Sequence, residues 1–370
     1  MATSPTRRRR GGRNPQAKVQ AKFFEISRKA ASFKEIDTGK PSALSKMIAD
    51  KHGDSGPLLP QKKKDLDKAI KLYTEALELY REKVVTKNPS YFAGAYQNLG
   101  TTLMEARQYD KAEENMVEAE KISFGAGLTN SINHASILDN MVVLYIKTRA
   151  WEKAERAAAD SLRFFPEDAA SHQKAGLKIL DKQARHARLC TMVGGLEKLQ
   201  EAIKLCSIVL EKSSNKKVRK AQMNLIQSIA KSQVAMLTRD EELLQDAETQ
   251  MSQSIGLAER GYGKSHSATA DHCEYCSMFQ GAIRKDYKVA EIMALKAADC
   301  REGHLAHMLK EEVFAQQKGG VDDKDFNYIK VDVLKDPRCR LLLEECLAML
   351  GNVKAKRFLM PQQYLRWKGF

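Results

Sequence analysis

The chain has 370 residues, 43% of them apolar and 29% charged, a balance that suffices for a buried core and excludes a wholly disordered chain. Its formal net charge is +15, with a net +8 in residues 1–40 and +5 in residues 351–370, so a nearly neutral body lies between two basic tails. No stretch reaches the ~18 apolar residues of a membrane span, and no apolar signal core follows the arginines.

In chain order, Arg7, Arg8, Arg9, Arg10, Arg13 and Lys18 head a basic N-terminal arm, residues 1–40. Such an arm suits a polyanion: nucleic acid, acidic tubulin tails or anionic lipid. A mitochondrial presequence is the alternative for this segment. Val19, Phe23 and Phe24 give it one apolar face, but the contiguous arginines and Gly11-Gly12 are poor for an amphipathic helix. Between Ser90 and Asp336 the only proline is Pro166, which favours helix throughout.

A repeat then runs through residues 41–305. Its pattern is Leu or an aromatic, two polar residues, Ala, six residues, and then a small or apolar residue. It recurs as Leu66–Ala69–Ala76, Tyr109–Ala112–Ala119, Trp151–Ala154–Ser161, Leu199–Ala202–Val209, Leu244–Ala247–Ser254 and Tyr287–Ala290–Ala297. Residues three and seven apart share a helix face, and a small residue there lets a neighbouring helix approach closely. Successive anchor alanines lie 43, 42, 48, 45 and 43 residues apart, too regular for chance. A second apolar helix precedes each anchor helix, clearest at Tyr96, Leu99, Gly100 and Leu103, and again at Leu138, Met141, Val142 and Tyr145. The first copy is irregular, because Gly53 to Pro60 interrupts its expected first helix; a half-repeat or a helix at Ser42 to Lys51 is expected to cap the array there. The fourth copy carries extra helical sequence before Gly194-Gly195, and the fifth is helical over Val218 to Leu237 without a readable signature.

These residues resemble the tetratricopeptide repeat, and the long spacing is similar to that of kinesin light chains. The resemblance implies an all-α, tetratricopeptide-like α-solenoid, a right-handed superhelix of helix pairs, flanked by irregular basic tails. Residues 306–350 are expected to form a C-terminal helical cap, with one amphipathic helix over Arg338 to Leu350 and an extended stretch at Phe326 to Leu334. The last segment, residues 351–370, mixes Phe358, Tyr364 and Trp367 with Lys354, Lys356 and Arg357.

Three motifs bear on chemistry. Ala258 followed by Gly263-Lys264-Ser265 meets a relaxed phosphate-loop pattern, but that chemistry needs a strand leading into the loop, and a helix end is expected here. His272-Cys273-x-x-Cys276 has metal-ligand spacing, yet no second such pair completes four ligands, and both thiols fall where packing residues are expected. Seven dispersed cysteines fit a reducing compartment rather than a disulfide framework. With no nucleophile elbow or metalloprotease motif, the expectation is a protein without catalytic residues, metal or cofactor, and without a small-molecule substrate.

The family resemblance further implies a concave groove lined by each first helix. By that register, Gly94, Gln97, Asn98 and Thr101, then Ser136, Asp139, Asn140 and Val143, then His272, Tyr275, Cys276 and Phe279 face inward. Asparagines suit an extended peptide because a side-chain amide both donates and accepts. Asn98 and Asn140 stand where related repeats hold a peptide backbone. The expected protein is a non-enzymatic adaptor or structural subunit of a large assembly. Its groove takes protein partners and its tails take an acidic surface such as tubulin, in the cytoplasm and, by family analogy, at a cilium. The alternative is a ribonucleoprotein or mitochondrial component whose tails contact RNA.

Overall fold

The computed structural model describes residues 15–34, 60–83, 88–165, 173–213, 216–316, 348 and 351–355. Among these the elongated elements are all helices: α1 (Pro15–Lys34), α2 (Pro60–Lys83), α3 (Pro89–Glu105), α4 (Tyr109–Gly125), α5 (Ile132–Lys147), α6 (Trp151–Arg163), α7 (Gln173–Val193), α8 (Leu196–Lys212), α9 (Lys217–Thr238), α10 (Glu241–Gly261), α11 (Ser267–Phe279) and α12 (Tyr287–Gln316). Helices adjacent in sequence pack on one another, as α1 on α2, α3 on α4, α7 on α8, α9 on α10 and α11 on α12, the signature of a helical repeat. The chain divides into two compact units, with the division inside α5, after Leu144.

Local chemistry marks the helix ends. Pro89 opens α3 behind Asn88, whose side chain accepts from the Ser90 amide, and the Asp240 side chain accepts from the Leu243 amide to open α10. Turns between paired helices share a device. Arg107, Arg149, Arg239 and Lys285 each adopt φ of 57 to 61°, the left-handed conformation that ends a helix and reverses the chain. Gly194 and Gly195, at φ 79° and 84°, serve the turn from α7 to α8.

The repeat register explains the packing. All six anchor alanines (Ala69, Ala112, Ala154, Ala202, Ala247, Ala290) are completely buried. Their partners seven residues on, Ala76, Ala119, Ser161, Val209, Ser254 and Ala297, are buried too. In the first unit, Gly100 lets α3 close onto α4: a methyl there would stand 2.8 Å from Met116 Cγ and 3.2 Å from the Ala112 carbonyl oxygen.

Helix α2 packs on α1, and the helix expected at Ser42 to Lys51 lies outside the described residues. Phe23, Ile26 and Ala30 are buried, so residues 15–34 of the basic arm are a packed helix rather than an irregular tail. Burying a side chain the size of Phe23 contributes about 1.5–3 kcal/mol. Its ring lies 4.7 Å from that of Tyr80, which in turn stacks on Phe92 at 5.4 Å. The Tyr80 hydroxyl accepts from the Asn88 amide at 2.7 Å and donates to the Asn88 carbonyl at 3.2 Å, locking the start of α3.

In the second unit, Leu180, Ala187, Cys190, Leu199, Cys206, Met223, Ile226 and Val234 unite α7, α8 and α9 in one core. A single π-helical turn, Gln280–Arg284, follows α11. It brings Arg284 against α10, where the guanidinium donates to Glu248 at 2.9 Å, to Gln245 at 3.1 Å and to Glu241. Helix α12 runs unbroken through residue 305, where the array was expected to give way to a separate cap. The extended stretch at 326–334 and nearly all of the helix expected at 338–350 lie outside the described residues.

Candidate protein-binding groove

Within the first unit, α1, α3 and α5 line an open groove of about 330 Å³. Gly94, Gln97 and Asn98 of α3 lie along it, three and four residues apart on one helix face. Helix α1 adds Phe23, Phe24 and Ser27, and α5 adds Asn133 and Ile137. Gly94 has open space where a side chain would begin, which keeps this part of the wall low.

The groove wall is tied across helices. Gln97 donates from Nε2 to Ser136 Oγ at 3.0 Å, and Asn133 donates from Nδ2 to Ser90 Oγ at 3.2 Å. These bonds join α3 to α5 and leave amide carbonyls as acceptors along the surface. Asn98 is exposed, and its own carbonyl accepts from the Thr101 and Thr102 hydroxyls at 3.0 and 2.8 Å, so Thr101 is turned back on its helix. On α5, Asp139 and Asn140 are half-buried. At one end, Phe24 and Tyr91 meet edge to face at 5.0 Å, yet remain 38% and 48% exposed. Two partly open aromatic rings beside amides form a surface able to take both an apolar side chain and a peptide backbone.

The third set of expected groove residues needs correction. Tyr275 and Phe279 are completely buried, and His272 and Cys276 nearly so; none presents a surface. The Tyr275 hydroxyl hydrogen-bonds Ser232 on α9 at 3.1 Å, and the Arg284 guanidinium sits over the Phe279 ring. Tyr275 and His272 border an internal space of about 50 Å³ together with Arg188, Gln222 and Tyr262, room for about one water.

The other motifs resolve into packing. His272 Nδ1 meets Ser254 Oγ at 3.0 Å, the neighbouring Cys300 on α12 pushes the Cys273 thiol up, and burial pushes the Cys276 thiol up to about 12. His272 therefore turns toward α10 and Cys273 toward α12, and among the described residues the motif does not gather into one group of metal ligands. Gly263-Lys264-Ser265 follows helix α10, not a strand. The Gly263 amide donates to the Glu259 carbonyl, and the Gly263 and Lys264 carbonyls accept from Thr269 at 2.8 Å and Cys300 at 2.9 Å. The segment is a linker between repeats. Of the basic residues assigned to polyanion contact, Lys18 and Lys354 are exposed; Arg7 to Arg10, Arg13, Lys356 and Arg357 lie outside the described residues.

Nothing local in the sequence pointed to α1 as a groove wall, although the apolar face at Val19, Phe23 and Phe24 was visible. Among the described residues no helix is long and apolar enough to cross a membrane. No protein-family model matches the chain, and no curated protein matches it. Among solved structures the chain is similar to BtubC (BKLC) from P. vanneervenii, 19% identical over 65% of this chain and 92% of that one, with a TM-score of 0.39.

Proposed function

We propose that the protein is a non-catalytic, tetratricopeptide-like adaptor that holds an extended protein segment along α3 and α5, in the groove that α1 closes at one end. The observation that carries this reading is the pairing of half-exposed Phe24 and Tyr91 with the amides of Gln97 and Asn98 on one open wall. The aromatic pair suits one apolar side chain of the segment, and the amides suit its backbone. The basic tails serve as anchors on an acidic surface, for which tubulin in a microtubule, including that of a cilium, is the proposed example.

Two comparisons test it. Affinity capture with mass spectrometry, run on the full chain beside Asn98→Ala and Tyr91→Ala, should show the same proteins depleted in both variants. Partners indifferent to both substitutions would remove the groove from the function. Replacing Arg7, Arg8, Arg9 and Arg10 with Gln should weaken co-sedimentation with microtubules while leaving the captured proteins unchanged. Substitution is preferable to truncation here, because cutting beyond residue 15 enters α1 and threatens buried Phe23. Undiminished co-sedimentation would count against the tail as an anchor.

A further inference from the structure

The metal-like motif that the sequence displays does not assemble, but another set of ligand atoms does. Glu155 on α6, and His186 and Cys190 on α7, bring their carboxylate, imidazole and thiol atoms within 4.8 Å of one another. All three residues are buried, at 3%, 6% and 0% exposure. His186 Nε2 stands 2.9 Å from Glu155 Oε1, and Cys190 Sγ stands 3.7 Å from the same oxygen. His186 and Cys190 are four residues apart, so one face of α7 presents both ligands and α6 supplies the third.

We propose that Glu155, His186 and Cys190 form a binding site for a divalent ion of the zinc class. One oxygen, one nitrogen and one sulfur donor suit Zn²⁺ or Co²⁺, which accept mixed sets in tetrahedral geometry, better than Mg²⁺ or Ca²⁺, which require oxygen. The site already attracts a cation: the Lys198 ammonium donates to Glu155 Oε1 at 2.8 Å. Its side chain is 42% exposed, so it can swing to solvent and leave a fourth position for water. On binding, the Cys190 thiol releases its proton to solvent and sulfur takes up the ion. The proton that His186 Nε2 presents to Glu155 moves through solvent to Nδ1, which frees Nε2 for the ion. The carboxylate and thiolate together balance the two charges of the ion.

Two features make this a weaker site than a four-ligand structural one. Lys198 must be displaced, and His186 Nδ1 is buried with no hydrogen-bond partner among the described residues. The oriented outer bond that metal-bound histidines ordinarily make is therefore absent.

The test is a Co²⁺ titration of the chelator-treated full chain, read by the ligand-field bands of tetrahedral cobalt and the thiolate-to-cobalt charge-transfer band. One equivalent should bind and be displaced by Zn²⁺. Cys190→Ser should abolish the charge-transfer band, whereas Cys276→Ser and Cys206→Ser should retain it. Lys198→Met should tighten Co²⁺ binding by about tenfold, equivalent to the ~1.4 kcal/mol that displacing the ammonium no longer costs. Because Lys198 is partly exposed, this variant stays informative even if Cys190→Ser folds poorly. No tetrahedral band in the unsubstituted chain or in Lys198→Met, or a charge-transfer band that persists in Cys190→Ser, would overturn the proposal. The cluster would then be a buried ion network only.

Discussion

Two glycines on α3 offer a direct test of the packing argument. Alanine is worth about 1 kcal/mol more than glycine in a helix interior, so Gly→Ala stabilises wherever the added methyl meets nothing. Gly94 has nothing within 4 Å of such a methyl, and Gly94→Ala should raise stability by about 0.5–1 kcal/mol. At Gly100 the same methyl lies 2.8 Å from Met116 Cγ and 3.2 Å from the Ala112 carbonyl oxygen. Met116 is itself completely buried and the carbonyl belongs to helix backbone, so neither can retreat without shifting α4. Overpacking of this kind costs about 1–3 kcal/mol, which outweighs or cancels the propensity gain. Gly100→Ala should therefore be neutral to about 2 kcal/mol destabilising, without the gain expected of Gly94→Ala. Urea denaturation followed by far-ultraviolet circular dichroism reads both. Equal stabilisation by the two substitutions would refute the claim that α3 and α4 meet through Gly100.

Three further outcomes are expected. Arg239→Gly should stabilise by about 0.5–1 kcal/mol in a thermal melt, since glycine adopts φ near 60° without strain, while Arg239→Val should destabilise. Burial lowers the His272 pKa to about 4, below its unfolded value of 6.5, so the folded state excludes the proton. Stability from this group is complete above pH ~6.5 and falls as pH drops toward 4, by up to about 3 kcal/mol; stability measured across that window should lose this component in His272→Gln. Arg301 donates to Glu274 at 2.8 Å and Asp271 at 2.6 Å, and the Glu274 side chain is fully enclosed. Arg301→Met should cost up to about 3–5 kcal/mol by taking the guanidinium away from that enclosed carboxylate. Adding Glu274→Gln should recover part of the loss in the double variant, and no recovery would mean that lost packing, not stranded charge, causes it.

How much of this was legible in the sequence depends on the range of the interaction that carries it. The anchor alanines were readable because a helix presents one face every three or four residues, and a closely approached face tolerates only small side chains. The same reasoning found Gly100 and the break at Gly194-Gly195. It located helices α7 and α9 even though neither carries the repeat signature. What covers a face is a different matter. Gln97 and Tyr275 occupy corresponding places on their helices by the family register, but the Gln97 wall is open whereas Tyr275 is sealed against Ser232 on α9. Periodicity says which residues share a side; it does not say whether solvent or another helix lies beyond it. Helix α1 illustrates the same limit, since its apolar face was visible but its partner α2 lies beyond residues 35–59 in the chain. The Glu155, His186 and Cys190 cluster is the extreme case. Only the four-residue spacing of His186 and Cys190 is local, and Glu155 stands 31 residues before His186. Read alone, that spacing is less conspicuous than Cys273-x-x-Cys276, which gathers no third ligand among the described residues. Short spacings propose ligand pairs, but packing between helices decides which pairs acquire a third.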